Sequence, residues 1–127
     1  MEIKFPVFVR ARDSGEVTQY SSIVEMQNQF EIVDVENDEY EAWDASGLRL
    51  SLALQEPKWL LLEASSAAPK PAEIVDAIRN YADASEVQVD LSGLRTNEFA
   101  AALANVKDAI GRKWQAKGWW ERFKSRF

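Results

Sequence analysis

The chain has 127 residues, a length typical of one domain, and its 46% hydrophobic and 28% charged residues are typical of a folded rather than a disordered protein. It contains no cysteine and no histidine, which excludes disulfides, thiolate chemistry, Ser-His and Cys-His catalytic pairs and imidazole metal sites. The net charge of -6 is unevenly distributed: residues 107–127 carry seven basic and two acidic side chains, a net charge of +5, and the preceding residues carry -11.

The chain begins with a predicted hairpin. Two β-favouring runs, residues 3–12 and 16–20, flank the turn cluster Asp13-Ser14-Gly15. The following Ser22-Ile23-Val24-Glu25 has the spacing of a capping box, so we expect a short helix that begins at Ser22. Its apolar face would contain Ile23, Met26, Phe30 and Val33. A strand over 32–35 is the alternative, because that stretch is rich in β-branched residues.

A second hairpin is predicted around Ala45-Ser46-Gly47. Its strands span 39–44 and 48–54, and leucines at every second position from Leu48 to Leu54 place four apolar side chains on one sheet face. Trp59 to Glu63 predicts a further, largely buried strand, followed by a small-residue and proline linker over 64–71. For Trp43, Trp59, Tyr40 and Tyr81 we expect a role in the core or in a cross-strand pair rather than ligand stacking.

Two helices dominate the second half. Pro71 suits the first turn of an amphipathic helix whose buried side contains Ile74, Val75, Ile78, Tyr81 and Ala82. A last strand is expected over 86–91. Thr96 then caps a long final helix with a predicted core stripe of Phe99, Leu103, Val106, Ile110 and Trp114.

This order of elements predicts the α+β class. We expect a mostly antiparallel sheet of five to six strands, made of two hairpins plus further strands and packed by two amphipathic helices and a long C-terminal helix. Residues 1–117 form the predicted domain, and residues 118–127 form a basic aromatic tail.

The acidic stretch over 31–44 is the first candidate site. It holds seven acidic and no basic side chains within 14 residues: Glu31, Asp34, Glu36, Asp38, Glu39, Glu41 and Asp44. Read as a calcium-binding loop from Asp34, it has Glu39 at the glycine position and Ala45 at the closing glutamate position, so it fails both diagnostic tests. We predict no metal and no cofactor. Two interpretations of the acidic stretch remain. It is either a docking surface for a basic partner, formed by Glu36, Asp38, Glu39 and Glu41, or a solvated turn without a binding role.

The C-terminal tail is the second candidate site. It combines aromatic and basic side chains: Trp119, Trp120, Arg122, Phe123, Lys124 and Arg126. If the final helix continued through Gly118, the apolar residues Trp120, Phe123 and Phe127 would lie on a different side of it from the core stripe. There are two alternatives: Gly118 breaks the helix and redirects it, or the helix continues and the tail presents a second apolar face. Tryptophan and arginine are frequent in binding hot spots and also at membrane interfaces, and docking on the chain's own body is the remaining alternative.

These features favour a non-enzymatic protein-interaction module, which binds a partner protein through the acidic segment, the tail or both. One version of this function is an inhibitor-like role toward a basic protein. A peripheral membrane protein anchored by the tail is the alternative, and a carboxylate-based enzyme is the third. Nucleic acid is not expected as a partner, because a body of net charge -11 repels phosphate. Without a secretion signal or a long apolar run, we expect a cytoplasmic protein.

Overall fold

A five-stranded antiparallel sheet with helices on both faces forms the centre of the molecule. The computed structural model describes residues 2–30, 32–55, 59–65 and 67–124, without the side chains of residues 32, 33 and 117–124. Within these ranges the strands are β1 (Val7–Ala11), β2 (Val17–Tyr20), β3 (Tyr40–Trp43), β4 (Arg49–Gln55) and β5 (Trp59–Ala64), in the spatial order β2-β1-β3-β4-β5. The predicted α+β class and antiparallel sheet are confirmed.

The first hairpin and the helix after it follow the local sequence signals. β1 pairs with β2, and Gly15 adopts a φ of 73° in the connecting turn. Helix α1 (Ile23–Gln29) begins where the capping pattern predicts, since the Ser22 hydroxyl accepts a hydrogen bond from the Glu25 N–H. The Glu25 carboxylate reaches back one residue further than the ideal box, to the N–H and hydroxyl of Ser21.

The predicted helix is shorter than its apolar pattern. α1 ends at Gln29, Phe30 takes an extended conformation, and a second short helix, α2, spans Ile32–Glu36. The alternative of a strand over 32–35 is therefore wrong. Met26 is fully buried in the cluster on one face of the sheet, but Ile23, the first residue of α1, is 38% exposed because the packing of this short helix is centred on Met26. The side chain of Val33 lies outside the described residues.

β3 and β4 form the second hairpin as predicted, and Leu50, Leu52 and Leu54 lie on one face of the sheet. Leu48, the fourth leucine of the predicted set, is buried but lies in the turn before β4. β5 forms as well, but it is not largely buried. Only Leu60 in this strand is buried. Trp59 is 59% exposed and does not lie in the core, but it forms a cross-strand pair with Gln55 of β4. The reason for the exposure is position: β5 lies at the edge of the sheet, where α3 and α4 do not cover it.

Helix α3 (Pro71–Ala84) has the predicted start and the predicted buried side, with Ile74 and Ile78 fully buried. Its first turn rests on the β3–β4 turn. Gly47 has a φ of 91°, and a Cβ on it would lie 2.5 Å from the nitrogen of Pro71. Only glycine permits this close approach of the two backbones.

The stretch 86–91 is not a strand. It is irregular, yet Val87 and Leu91 are buried against the helices, because their side chains pack there without any strand pairing. Helix α4 (Phe99–Lys124) is preceded by a 3₁₀ turn over Thr96–Glu98, so Thr96 does not cap α4 directly. The carboxylate of Glu98 instead accepts a hydrogen bond from the Arg95 N–H.

Two apolar clusters pack on opposite faces of the sheet. Phe8, Val17 and Trp43 face α3 and α4, and Val7, Val9 and Ala42 face α1 and α2. Within the predicted stripe of α4, Phe99, Leu103 and Val106 are buried and Ile110 is half-buried. Trp114 is 63% exposed and does not belong to this core, which corrects the last member of the stripe.

Candidate functional site

The C-terminal half of α4 extends beyond the packed core. All six residues from Gly111 to Ala116 are exposed, and six residues cover more than one full turn of a helix. No side of α4 is therefore buried along this stretch. We call residues 111–124 the α4 extension.

The backbone of the α4 extension is helical as far as Lys124. Gly118 lies inside the helix, so the expectation that it redirects the chain is wrong, and the alternative of a continuous helix applies. Lys113 connects the start of the α4 extension to the body: its Nζ lies 3.1 Å from a carboxylate oxygen of Glu86 and donates to the carbonyl oxygen of Ser85.

The predicted tail residues divide into two groups. Trp119, Trp120, Arg122, Phe123 and Lys124 belong to the helical backbone, but their side chains lie outside the described residues, and Arg126 lies outside them entirely. Their role in binding stays a prediction.

The acidic segment is engaged by cations from neighbouring strands. Arg12 lies 3.7 Å from the carboxylate of Asp38 and donates to its carbonyl oxygen, and Asp34 accepts a hydrogen bond from the Tyr40 hydroxyl. Glu36 is exposed at the end of α2, and Glu39 is partly buried before β3. Glu31 lies outside the described residues. The segment is thus not a uniform negative surface.

Glu41 is the centre of an arginine cluster, which we define as Arg10, Arg12, Arg49 and Glu41. One carboxylate oxygen, Oε1, lies 3.2 Å from Arg10 Nη1 and 3.0 Å from Arg12 Nη1, and Oε2 lies 3.3 Å from Arg49 Nη1. The arginines come from β1, from the residue after it and from β4, and strand pairing brings them together around β3. Three of the eight basic residues before position 107 thus surround a single carboxylate.

A second layer stabilises the cluster. The guanidinium of Arg49 lies 5.1 Å from the ring centroid of Trp43, at a distance suitable for a cation–π contact. The Trp43 indole N–H donates to Glu73 Oε1 at 3.0 Å, and the same oxygen lies 3.8 Å from Arg49 Nη1. Trp43 is 2% exposed, so its predicted core role is confirmed. Its ring also contacts the guanidinium of Arg49 and helps to hold it in place.

A cleft opens beside the cluster where β3 and β4 diverge. The described ladder between them has two residue pairs, Ala42 with Leu50 and Trp43 with Arg49. Beyond these, β3 continues alongside β1 and β4 continues alongside β5. The resulting cleft has a volume of about 370 Å³, and Arg12, Arg49, Ser51 and Ser65 are among its lining residues.

An aromatic stack lies on the opposite face of the sheet. The rings of Phe30 and Tyr40 are stacked with centroids 4.6 Å apart, and Tyr20 meets Phe30 edge-on. Burial, followed by the charge of Asp34 and the hydrogen bond to it, raises the pKa of Tyr40 to about 12. Burial and nearby glutamates also raise the pKa of Tyr20. Both phenols therefore stay protonated near neutral pH and act as structural hydrogen-bonding groups rather than as bases.

Among the residues that the structure describes, no group of three or more acidic side chains is arranged to hold a metal ion. No described helix is both long and apolar enough to cross a bilayer. Comparisons of the chain with protein-family models, with curated proteins and with solved structures gave no match.

The arginine cluster was not predicted from the sequence. Arg10 and Glu41 are 31 residues apart, and Arg49 is on a third strand. A charged arginine within a β-favouring run is only a weak local sign of a functional site. The meeting of the three arginines at Glu41 depends on the register of three strands.

Proposed function

We propose that this protein is a non-enzymatic interaction module that binds a partner protein through the α4 extension. The observation that carries the proposal is the continuous helix that leaves the core with every residue from 111 to 116 exposed. A helical segment that is exposed on all sides gains little stability from packing on its own domain, so we infer that a partner stabilises it further.

The chemistry of the extension indicates the kind of partner. Residues 111–124 contain five basic side chains and one acidic one, together with Trp114, Trp119 and Trp120. The corresponding partner has an apolar groove with an acidic rim, which receives the extension as a helix laid in a groove. Tryptophan and arginine supply the anchoring area in such interfaces.

The acidic segment supports the proposal less strongly. Asp38 and Glu41 already form ion pairs with Arg12, and Glu41 with two further arginines. A basic partner would have to displace these contacts, so an inhibitor-like role toward a basic protein is the weaker form of the proposal. We place the module in the cytoplasm, in keeping with a chain that has no cysteine for disulfides.

A photo-cross-linking experiment tests the proposal in the full-length chain. A photoreactive amino acid replaces the exposed residue Gln115 of the α4 extension in one variant and the exposed residue Asn80 on α3 in the control. We expect a discrete adduct from position 115 but not from position 80. The protein in that adduct, once purified, should bind the wild-type chain and should bind a Trp119→Ala/Trp120→Ala variant at least about tenfold more weakly, as for loss of a binding hot spot.

Two other outcomes would contradict the proposal. Binding to anionic vesicles that weakens with salt, without a protein adduct, would favour the peripheral membrane alternative. Shielded indoles and a melting temperature several degrees lower in the double alanine variant would show that the extension docks on its own domain.

A further inference from the structure

We propose that the cleft between β3 and β4 is a binding site for a small oxyanion, either a carboxylate or a phosphate group, with Arg49 as its main anchor and Arg12 as its second contact. This site is separate from the α4 extension, so it stands or falls independently of the proposed interaction module.

The first argument is the unused hydrogen-bonding capacity of Arg49. A guanidinium has five N–H donors and no acceptor. Within the described part of the chain, Arg49 forms ion pairs only through Nη1, to Glu41 at 3.3 Å and to Glu73 at 3.8 Å. Its Nε and Nη2 are left for a ligand, and 39% of the side chain is exposed.

The second argument is that Arg49 is held in place before any ligand arrives. Trp43 lies under its guanidinium, and Glu41 and Glu73 flank Nη1. Trp43 is itself fixed by the hydrogen bond from its indole N–H to Glu73. A guanidinium that is already oriented loses little side-chain entropy when it binds a planar carboxylate or a phosphate in a forked geometry.

The third argument is the shape of the cleft. Its volume of about 370 Å³ falls within the range of small-molecule sites. Because β3 and β4 stop pairing after Ala42 and Leu50, the cleft lies between two diverging strands rather than on a flat sheet face. Ser51 and Ser65 line it together with the two arginines and provide further polar groups for an oxyanion.

The acidic groups around the cleft set the expected strength of binding. Glu41 and Asp38 line it and Glu73 lies next to Arg49, so these three carboxylates balance the charges of Arg10, Arg12 and Arg49. Recognition therefore depends on the open donors of Arg49 rather than on a net positive field. We expect weak binding that is strengthened when the competing Glu41 carboxylate is removed.

The test is a titration of the full-length protein with inorganic phosphate and, separately, with succinate, followed by backbone amide chemical shifts at constant ionic strength. We expect saturable shifts at Ser51, Leu52 and Ser65. Arg49→Gln should weaken binding by about tenfold, since it removes charge-assisted hydrogen bonds. Arg79→Gln, which removes the same charge from an exposed pair on α3, should leave the affinity unchanged.

A second variant gives an effect of opposite sign. Glu41→Gln frees the three guanidiniums, so it should tighten phosphate binding and give a larger rise in melting temperature with phosphate than the wild type shows. Saturation by phosphate alone or by succinate alone identifies the source of the oxyanion, and saturation by both supports a general site. The absence of saturable shifts in the wild type, or equal affinities in Arg49→Gln and Arg79→Gln, would overturn the proposal.

Discussion

Asp44 shows how one buried residue can organise a turn and a distant segment of chain. It is 1% exposed, and its Oδ1 accepts hydrogen bonds from the hydroxyl and N–H of Ser46 and from the N–H of Leu48. Its Oδ2 accepts from the N–H of Lys4, which ties the N-terminal segment to the β3–β4 turn. Burial alone would raise the pKa of Asp44, but these hydrogen bonds outweigh it and hold the pKa below its usual value.

We expect Asp44→Asn to reduce the free energy of unfolding by about 1–3 kcal/mol at pH 7, because one acceptor oxygen becomes a donor that faces N–H groups. The pH dependence has a definite sign. A carboxylate whose folded pKa is lowered stabilises the protein above its unfolded pKa of about 3.9, and this contribution disappears as the pH falls through the folded value.

Urea unfolding of both chains between pH 7 and pH 3 measures this effect. The stability difference between the wild type and Asp44→Asn should shrink below about pH 4, where the unfolded carboxyl becomes protonated. Asp83→Asn on the exposed side of α3 is the matched control and should leave stability nearly unchanged. A difference that persists undiminished at pH 3 would show that charge is not what Asp44 contributes.

At the scale of the element, α4 combines a buried and an exposed half in one helix. Phe99, Leu103 and Val106 are at most 1% exposed, whereas Trp114 is 63% exposed. A helix that packs on a sheet of limited width loses its partner surface once it passes the edge of the core. The predicted apolar stripe therefore continues for about one helical turn, from Ile110 to Trp114, beyond the part that packs on the core.

Two neighbouring positions on α4 test where the core lies. Leu103→Asp places a carboxylate at a fully buried site and should cost several kcal/mol, a large share of a total stability of about 5–15 kcal/mol. Ala104→Asp introduces the same group at an exposed site and should cost less than about 1 kcal/mol. Thermal unfolding by circular dichroism compares the two, and similar losses in both variants would show that helix propensity, not burial, dominates.

At the scale of the whole molecule, the distribution of charge separates the domain from its C-terminal end. The body before residue 107 carries a net charge of -11, and residues 107–127 carry +5. Ala109 and Ile110 still pack against the core, and the described ion pairs of the basic end with the body are exposed: Lys107 lies 3.3 Å from Glu16, and Lys113 lies 3.1 Å from Glu86. Exposed pairs of this kind contribute little to stability.

Deletion of residues 118–127 should therefore leave the fold intact. We expect a melting temperature within about 5 °C of the wild type, which corresponds to a loss of at most about 1 kcal/mol in a domain of this length. Thermal unfolding and size-exclusion chromatography of the truncated chain measure the outcome. A truncated chain that unfolds or aggregates would place these residues in the core and move the predicted domain boundary at residue 117.

Local patterns determined most of the elements. The turn cluster Asp13-Ser14-Gly15, the capping serine Ser22, the alternating leucines of β4 and Pro71 at the start of α3 each depend on interactions within a few residues, so the sequence was enough to predict them. The break of the first helix at Phe30 and the irregular path of 86–91 were missed, because packing against other elements overrides propensity there.

Only the tertiary structure determines which of two similar residues is buried and which residues far apart in the sequence come into contact. Trp43 and Trp59 both lie in strands, but α3 and α4 cover the central strand β3 and not the edge strand β5, so one indole is buried and the other is exposed. The sequence placed Glu41 in an acidic run and Arg10, Arg12 and Arg49 in separate strands or turns. Their convergence follows from strand order and register, which arise from long-range pairing that no local pattern encodes.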